Sequence, residues 1–362
     1  MIRAIEPSDA PAIRGIVRQV FSPFVRTSFH LTPHTLVAID GDRLCAGVVL
    51  KLVDSKRYGR IGIISWIFVA PGYEGRGIAS LLRDAALDVL GQNGCDCIVA
   101  NIDRENTRSA NLFRAAGFEP LGPGALLSVF GWGLFRVLRH TTHILDPGYA
   151  LFVRRTGESL QVATQPVMQL VATLVLHVPL VMLLLLRTLA SPEWSPVMTY
   201  RLSAVVAVLI LVRLAAMRAV SLVRRLPVRY HMWESGFLLS AGAAGLFGFL
   251  MPVTGSLYPA SRFWSVREYD GPLASMALAG LFPVAVLTLL AVWLSGAVSH
   301  PEALAWVWWV RRAGAWFLLT DGLLPFYPFT AYNAARIFRW SRIAWICTAG
   351  LSLAVAIVAM VW

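Results

Sequence analysis

The chain has 362 residues, of which 57% are hydrophobic and only 14% are charged, and it carries a formal net charge of +12 at pH 7. This length is enough for two domains or more. The four cysteines include no Cys-x-x-Cys pair and no cluster with histidine, which argues against a zinc site and against a disulfide framework.

Apolar residues are unevenly distributed along the chain. Residues 1–160 have the composition of a soluble domain, whereas residues 165–362 contain several apolar runs close to the ~20 residues that a membrane span needs. The first residues, Met1 to Pro7, already predict a strand and a turn, so we expect no signal peptide. In a polytopic membrane protein a basic balance indicates cytoplasmic loops and contact with anionic lipid. We therefore expect membrane lipid as a partner and no nucleic acid.

Hydrophobic periodicity predicts alternating strands and helices in the N-terminal half. The predicted strands are 3–5, 35–39, 44–53, 61–69, 97–102 and 149–153, and the predicted helices are 8–20, 78–90 and 109–116. Ser8 and Asp9 can cap the first helix. The run Asp40-Gly41-Asp42 between two strands is typical of a hairpin turn.

A glycine-rich turn joins the predicted strand 61–69 to the helix 78–90. Residues 72–79 read Gly-Tyr-Glu-Gly-Arg-Gly-Ile-Ala, with three glycines in six residues. Glycines allow backbone N–H groups to approach a ligand closely, and a helix N-terminus adds free donors that suit phosphate. Arg76 adds a full positive charge. An ordinary strand-to-helix turn would have the same order, and the glycine spacing does not fit a dinucleotide-binding fingerprint.

Two motifs in this region resemble the GNAT superfamily of acyl-CoA-dependent N-acetyltransferases. The family's acetyl-CoA motif, Arg/Gln-x-x-Gly-x-Gly/Ala, falls on residues 74–79, where Glu74 departs from the pattern at the first position. The family's second signature falls on Asn106, Ser109, Leu112-Phe113 and Gly117-Phe118. The resemblance covers residues 1 to about 155. It implies an α/β GNAT fold, in which a mixed sheet carries helices on both faces.

The resemblance also implies the ligand and the site. Acetyl-CoA would be the substrate, and no metal ion is expected. The implied acetyl-CoA-binding residues are Phe68, Val69, Glu74, Gly75, Arg76, Gly77, Ile78, Ala79, Asn106 and Phe113. In the family's ribosomal-protein N-acetyltransferase branch a Glu acts as base at the position of Asn101. The family's usual acid is a Tyr at the position of Phe113, so both usual proton carriers are replaced. Asp103, Glu105 and Glu74 are the nearby carboxylates. Asp103 and Glu105 are our candidate catalytic residues, although each could also be a solvated loop residue.

Residues 125–140 form a strongly apolar insert with a basic end before the last predicted strand. The insert is too short to span a bilayer. It could be a core helix of the soluble domain or an interfacial segment, with Trp132, Phe130 and Phe135 at the level of the lipid headgroups. The membrane half that follows favours the interfacial interpretation. In GNAT proteins the loops between the last strands border the acceptor entrance, so the resemblance would put that entrance at the bilayer surface.

The C-terminal half predicts an all-α transmembrane domain with five or six spans. The candidate segments are 166–186, 200–223, 236–253, 272–294, 304–330 and 343–362, of which 236–253 could instead be re-entrant. Arg224, Arg225 and Arg229 follow the second span. By the positive-inside rule this connection is cytoplasmic, and so is the N-terminal domain. We therefore expect an integral protein of a prokaryotic cell membrane.

Charged residues inside these spans cost a few kcal/mol each unless they are paired or hydrated. The residues concerned are Arg213, Arg218, Arg311, Arg312, Glu234 and Asp321. A pair between Asp321 and an arginine is the structural explanation, since such pairs also hold helices together. A polar cavity for a headgroup or a substrate is the functional alternative.

The same half is distantly similar to intramembrane metalloproteases of the site-2 protease type. The similar pieces are residues 245–252, 271–274, 323–325 and 336–340. The chain contains no His-Glu-x-x-His. Arg213 and Met217 stand on the comparable helix, and the family's later Asp would fall near Asn333. The resemblance therefore implies a relative that lacks the metal site and the protease chemistry.

These observations predict three regions and one principal function. Residues 1–155 would be a cytoplasmic GNAT-like acetyltransferase domain, residues 156–164 a linker, and residues 165–362 a transmembrane domain. The enzyme, an acyltransferase, would move an acetyl group from acetyl-CoA to an amine of a membrane-associated acceptor. The alternative is a non-catalytic module that binds acyl-CoA and regulates the membrane domain. The replacement of the usual base and acid favours this alternative. A transporter with a fused enzyme is a third possibility that rests only on the charged spans.

Overall fold

The computed structural model describes residues 1–141, 145–157, 165–188 and 195–361. The described chain forms two compact units. The first contains residues 1–141 and 149–157, and the second contains residues 145–148, 165–188 and 195–361.

The first unit is built on a seven-stranded sheet with the strand order β1-β2-β3-β4-β5-β7-β6. Its strands are β1 (Ile2–Ala4), β2 (Leu36–Asp40), β3 (Arg43–Ser55), β4 (Gly59–Val69), β5 (Cys95–Asp103), β6 (Glu119–Pro120) and β7 (Tyr149–Arg155). Strands β4 and β5 are parallel, and the other neighbouring pairs are antiparallel. The sheet is therefore mixed, as predicted.

Helices cover both faces of this sheet because successive side chains of a strand point to opposite sides. The helices are α1 (Ala10–Val20), α2 (Pro23–Arg26), α3 (Ile78–Gln92), α4 (Thr107–Ala115), α5 (Pro123–Phe130) and α6 (Gly133–His140). On β3, Val48 packs in the cluster that contains α3 and α4, while its neighbour Val49 packs in the cluster that contains α1. The predicted mixed sheet with helices on both faces is confirmed. The predicted elements are present with ends that shift by one or two residues.

The insert forms α5 and α6, which are separated at Gly131, a residue with φ +52. Its inner side is core. Leu126, Val129, Phe130, Leu134 and Val137 are buried in one cluster with residues of β3, β4, β5 and β7. Its outer side is different, because Trp132 is 88% exposed and Phe135 is 64% exposed. The core interpretation therefore holds for the inner side of the insert, and the interfacial interpretation of the outer side stays a prediction.

The second unit is helical apart from a two-stranded antiparallel sheet of β8 (Val228–His231) and β9 (Ser256–Pro259). Its helices are α7 (Pro166–Thr188), α8 (Pro196–Val223), α9 (Gly236–Gly242), α10 (Val266–Ala297), α11 (Pro301–Leu318), α12 (Asn333–Trp340) and α13 (Arg342–Val361). Among the described residues, four helices are long and apolar enough to cross a membrane: α7, α8, α10 and α13.

This count is lower than the five or six predicted spans, and the difference lies in two segments. Helix α9 has only seven residues and continues as a π-helical turn over Ala243–Phe247. Helix α11 carries Glu302, Arg311 and Arg312, and it continues as a second π-helical turn over Leu319–Leu323. A hydropathy profile of the sequence does not detect a change from α-helix to π-helix. Such π turns are frequent at functional or strained positions.

A buried ion pair lies in the core of the second unit. Arg213 Nε donates to Asp321 Oδ2 at 2.7 Å and Nη2 donates to Oδ1 at 3.2 Å, and both residues are at most 1% exposed. Asn333 donates to the same carboxylate through its backbone N–H at 3.0 Å and its Nδ2 at 2.8 Å. The predicted pair between Asp321 and an arginine is thus present, and Arg213 is the partner.

The short segment 145–148 belongs to the second unit although it precedes β7 of the first. Buried Asp146 accepts hydrogen bonds from Ser235 Oγ on its carbonyl and from Tyr327 Oη on its carboxylate. Gly148 has φ +89, and a Cβ there would lie 2.6 Å from the Cβ of Ala331. Only glycine fits this position, since both its backbone angle and its space exclude a side chain.

Candidate active site

The two parallel strands at the centre of the sheet separate along their length. Their ladder runs from the Arg60–Cys95 pair to the Ile63–Val99 pair, although β4 continues to Val69 and β5 to Asp103. On its other side β4 stays paired with β3, with an irregular step where Val49 faces Trp66 and Leu50 faces Ile64. Such a bulge bends a strand and redirects its side chains. The parted strands therefore open the sheet near its middle.

A cleft of about 210 Å³ lies where the strands part. Its apolar walls come from Phe21, which follows α1, and from α2, β4, β5 and α4. Its polar lining residues are Ser65, Asn101, Asp103, Asn106, Ser109 and Tyr149. A mostly apolar cleft with a few polar groups is typical of a small-molecule site.

The glycine-rich turn follows directly from the end of β4. Gly72, Gly75 and Gly77 have φ of +86, +77 and +77, angles that other residues rarely adopt. Nothing lies within 4 Å of a Cβ at any of these three glycines, so the backbone angle and not crowding demands glycine. Gly77 is the N-cap of α3, and its carbonyl accepts from Ser80 and Leu81 at 3.0 and 3.1 Å. The first N–H groups of a helix have no partner within the helix, and such an N-terminus is a typical anion site.

Two charged side chains of the turn have partners nearby. Glu74 accepts the backbone N–H of Gly72 at 3.0 Å, so this unusual residue of the motif stabilises the turn itself. The Arg76 guanidinium lies 3.9 Å from the Asp40 carboxylate and 5.0 Å from the centre of the Tyr73 ring. Arg76 and Asp40 are both more than half exposed, and such surface pairs contribute little and reorient readily.

The implied cofactor residues with apolar side chains belong largely to the core. Phe68 is 3% exposed and meets Phe29 edge to face at 5.8 Å, so only its backbone can contact a ligand. Phe113 is 2% exposed and meets Phe118 edge to face at 5.1 Å, while it also lines the cleft. Val69 and Ile78 are partly buried against the cluster that contains α3. Ala79 lies in the first turn of α3.

The two candidate catalytic carboxylates occupy different positions. Asp103, at the end of β5, lines the cleft, and its Oδ1 accepts the backbone N–H of Glu105 at 2.9 Å. Glu105 follows on the loop before α4 and is outside the lining of the cleft. The structure therefore brings Asp103, and not Glu105, to the place where the strands part.

Two polar residues of the cleft are not among the site residues that the sequence predicts. Tyr149 opens β7 and stands opposite Asp103 in the ladder, so it adds a phenol to the same wall. The signal for Tyr149 is its place at the start of the strand that pairs with β5. Ser65 lies at the irregular step of β4, and among the described residues its buried Oγ has no hydrogen-bond partner. No sequence signal distinguishes Ser65 within an apolar strand.

The described residues contain no group of three or more His, Cys, Asp or Glu side chains that could hold a metal ion. Both cysteines of the Cys95-Asp96-Cys97 run are buried and free. Burial raises the pKa of the Cys97 thiol to about 12, which keeps it protonated and inert at neutral pH.

Comparison with known proteins assigns the first unit to a family. The acetyltransferase (GNAT) family profile matches residues 14–118. A mycothiol acetyltransferase of Beutenbergia cavernae is 39% identical over 87 residues, which is 24% of this chain but only 28% of that protein. An N-alpha-acetyltransferase 30 of Schizosaccharomyces pombe is 30% identical over 108 residues, which is 29% of this chain and 72% of that protein.

A chain in the crystal structure of the NatC complex bound to Gag peptide and CoA is 19% identical with a TM-score of 0.32, and the match covers 43% of this chain and 97% of that chain. The profile match at residues 14–118 includes the glycine-rich turn, α3 and both strands that border the cleft. The resemblance read from the two motifs is thereby confirmed, and the chain belongs to the GNAT acetyltransferase family.

Proposed function

We propose that this protein is a membrane-anchored N-acetyltransferase that transfers the acetyl group of acetyl-CoA to an amine of a membrane-associated acceptor. The observation that carries the proposal is the separation of β4 and β5 next to the glycine-rich turn. A ligand with a pyrophosphate and a long arm suits this arrangement. The backbone amides at the N-terminus of α3 would hold the phosphates, and the arm would enter between the parted strands.

The residues of the turn fit such a ligand. A Cβ at Gly75 or Gly77 would meet nothing within 4 Å, so the space over the turn is open to an approaching phosphate. Phe68 and Val69 would act through their backbone, and Asn106, Ile78, Ala79 and Phe113 would border the arm. Acetyl-CoA supplies the activated acetyl group as a thioester.

The reaction needs few proton carriers. The amine nitrogen attacks the thioester carbonyl, the C–N bond forms, and the C–S bond breaks with its electron pair on sulfur. The amine loses one proton and the thiolate gains one. Asp103 is the candidate base because it is the carboxylate of the cleft, and Tyr149 faces it across the ladder. With Phe113 at the usual acid position, water would protonate the thiolate.

Four apolar helices in the same chain support the membrane part of the proposal. We place residues 1–155 in the cytoplasm, where acetyl-CoA is available, and residues 165–362 in the bilayer of a prokaryotic cell. The predicted linker 156–164 lies outside the described residues except for residues 156 and 157. One of the two relatives above is named for mycothiol and the other for N-alpha acetylation, so membership of the family does not fix the acceptor. An acceptor at the membrane is the simplest reason to join such a domain to membrane helices.

We also propose that the second unit is related to site-2 protease-type membrane proteins and has no metal centre. Met217 and Asn333 support this because both side chains approach Gly280. A Cβ at Gly280 would lie 2.9 Å from Met217 Cγ and 3.2 Å from Asn333 Nδ2. Asn333 also bonds to Asp321, the partner of Arg213. The three compared positions thus lie around one buried centre, and none of the three is a residue type that binds zinc.

A non-catalytic sensor is the second candidate function. Asn101 and Phe113 favour it, since they replace the family's usual base and acid. A sensor would bind acyl-CoA at the same turn and release no CoA in the presence of membrane amines.

Release of free CoA by the purified full-length protein, supplied with acetyl-CoA and a membrane extract, tests the proposal. We expect turnover that depends on the extract. Gly77→Asp should weaken CoA binding at least ~10-fold in calorimetry, about 1.4 kcal/mol, because it adds strain and a negative charge at the phosphate site. Gly94→Asp is the matched control: Gly94 has φ +73 and open space, but it lies at the other end of α3.

Three outcomes are distinguishable. CoA release that is lost in Gly77→Asp and kept in Gly94→Asp supports the transferase. CoA binding that is sensitive to Gly77→Asp, without release from any membrane extract, supports the sensor. Equal CoA affinity in both variants would remove the glycine-rich turn from the site.

A further inference from the structure

We propose that the outer side of the α5–α6 insert is a docking surface for an anionic lipid bilayer, and that a cationic groove beside α6 receives lipid phosphates. This surface is separate from the acetyl-transfer cleft. The inference rests on the proposed membrane anchoring, because the bilayer that it needs is the one that holds the helices of the same chain.

Exposed aromatic rings form the apolar part of this surface. Trp132 is 88% exposed and Phe135 is 64% exposed, and their rings stack with centroids 6.1 Å apart. Leu134 and Val137 on the same helix are buried against the sheet, so α6 is apolar on two opposite sides. Its inner side is explained by the core. Exposed aromatic side chains of this kind are typical of residues that lie at the boundary between lipid tails and headgroups.

Two adjoining cavities border these rings. The larger, about 560 Å³, has Phe135, Arg136, Arg139 and His140 on one side and residues 52–54 on the other.

The smaller cavity, about 290 Å³, reaches Trp132, Lys56 and Arg57 and shares Arg136 with the larger one. Each cavity therefore combines an aromatic rim with guanidinium groups. Arginine is well suited to phosphate because its planar donors match phosphate oxygens.

The charge of the surface complements an anionic bilayer. Arg136, Arg139, Lys56 and Arg57 contribute four positive groups to the two cavities, and Asp54 contributes the one carboxylate among the lining residues. Basic residues beside an apolar anchor are the combination that holds proteins on membranes rich in acidic lipid.

The insert is held firmly in the geometry that presents this surface. Arg57 Nη1 and Tyr58 Oη donate to the carbonyls of Ser128 and Val129, both at 2.8 Å. Near the end of α6, Lys51 Nζ donates to the carbonyl of His140 at 3.1 Å. The hairpin of β3 and β4 thus fixes both helices, and docking would require little rearrangement.

Depth measurements on the full-length protein in lipid nanodiscs test the inference. A nitroxide label is placed at Ser128→Cys, an exposed position on the insert, in a Cys347→Ser background. The other cysteines are buried, and burial raises the pKa of their thiols, so they react slowly. In discs of mixed phosphatidylglycerol and phosphatidylcholine, we expect the label to be more accessible to oxygen than to a nickel chelate. In discs of phosphatidylcholine alone, we expect this preference to be lost.

Two pairs of charge reversals separate the groove from general electrostatics. Arg136→Glu with Arg139→Glu should abolish the oxygen preference in the acidic discs. Arg14→Glu with Arg18→Glu is the matched control, since these exposed arginines lie one turn apart on α1 and line another cavity. The control pair should leave the preference unchanged.

Other results would overturn the inference. The label at Ser128→Cys could stay open to nickel in acidic discs, or keep its oxygen preference after Arg136 and Arg139 are reversed. Protection from both oxygen and nickel would indicate a protein partner, such as a second copy, instead of lipid. A label at Ile357→Cys, exposed on α13, reports membrane anchoring separately. If only the Ser128 label is in water, the inference fails alone, and if both are in water, the anchoring proposal fails with it.

Discussion

Asn106, a residue of the second motif, has a structural role of its own. Its Oδ1 accepts the backbone N–H of Ser109 at 3.2 Å, so it caps α4 at the rim of the cleft. A side chain of this kind typically stabilises a helix start by about 1 kcal/mol. Glu74 has a similar local task in the turn before α3. Loss of activity on changing either residue therefore does not by itself identify a ligand contact.

Asp103 is the residue on which the proposed chemistry depends most. Asp103→Asn keeps the size of the side chain and an acceptor oxygen for the N–H of Glu105, but it removes the base. We expect kcat to fall by roughly 100-fold or more, as is common when a general base is lost, with CoA affinity unchanged. Steady-state kinetics with the identified acceptor and calorimetry with CoA measure the two effects.

Glu105→Gln is the control for this prediction, since Glu105 lies two residues away and outside the lining of the cleft. Its kcat should stay within a few-fold of the unchanged protein. Equal losses in the two variants would mean that the loop after β5 acts as a whole and that Asp103 has no special role.

The central strands show what periodicity can and cannot predict at the level of elements. The apolar run that became β4 was predicted within two residues of its bounds. The sequence did not predict that the pairing of β4 with β5 ends after Ile63, because strand pairing depends on the partner strand and not on the apolar run itself. The same limit applies to the insert. Composition alone could not assign its apolar residues to an inner and an outer side.

The first strand is tied to the N-cap of the first helix, Asp9, by an ion pair with a pH dependence. Arg3 donates to both oxygens of Asp9, at 2.7 and 2.9 Å, and the N–H of Glu6 adds a third bond at 2.8 Å. The hydrogen bond from Arg3 lowers the pKa of Asp9, against an opposing effect of burial. A carboxylate whose pKa is lowered in the folded state stabilises that state above its unfolded pKa of about 3.9. The contribution is lost as pH falls through the lowered folded value.

Hydrogen exchange of the amides of β1 can test this tie. After correction for intrinsic rates, protection in the unchanged protein should be constant near neutral pH and fall below about pH 4. Asp9→Asn should start with lower protection at neutral pH and lose little more on acidification. A parallel fall in both proteins would assign the acid sensitivity to other groups.

At the scale of the whole molecule, composition alone separated the soluble half from the apolar half, and the elements of the soluble half followed from local patterns. Long-range contacts were beyond that kind of inference. The segment 145–148 has the sequence of a simple turn, yet Asp146 is bonded to Ser235 and Tyr327 of the second unit. The cleft residue Tyr149 follows this segment directly. The site needed the family motifs, because Asn101 and Phe113 gave no catalytic signal of their own.

The ion pair of Arg213 and Asp321 joins α8 to the π-helical turn after α11, and so it connects distant parts of the second unit. Breaking a buried pair by removing one partner typically costs about 3–5 kcal/mol, because the other charge stays buried without its counterion. Arg213→Met or Asp321→Leu should therefore lower the thermal unfolding temperature of the detergent-purified protein strongly.

The double variant Arg213→Met with Asp321→Leu shows whether the stability of the second unit depends on the two charges or only on the volume of the two side chains. Replacing both partners by apolar residues of similar size removes the buried charge, and we expect it to be less damaging than either single change. Asp270→Asn is the control, because Asp270 accepts from Arg339 at 2.9 Å in a pair whose side chains are 25% and 34% exposed. Its effect should stay within about 1 kcal/mol. If the loss of stability in the double variant equals the sum of the two single losses, Arg213 and Asp321 act independently. Asn333, which bonds to Asp321, and Gly255, which bonds to Arg213, would then be sufficient partners for the two charges.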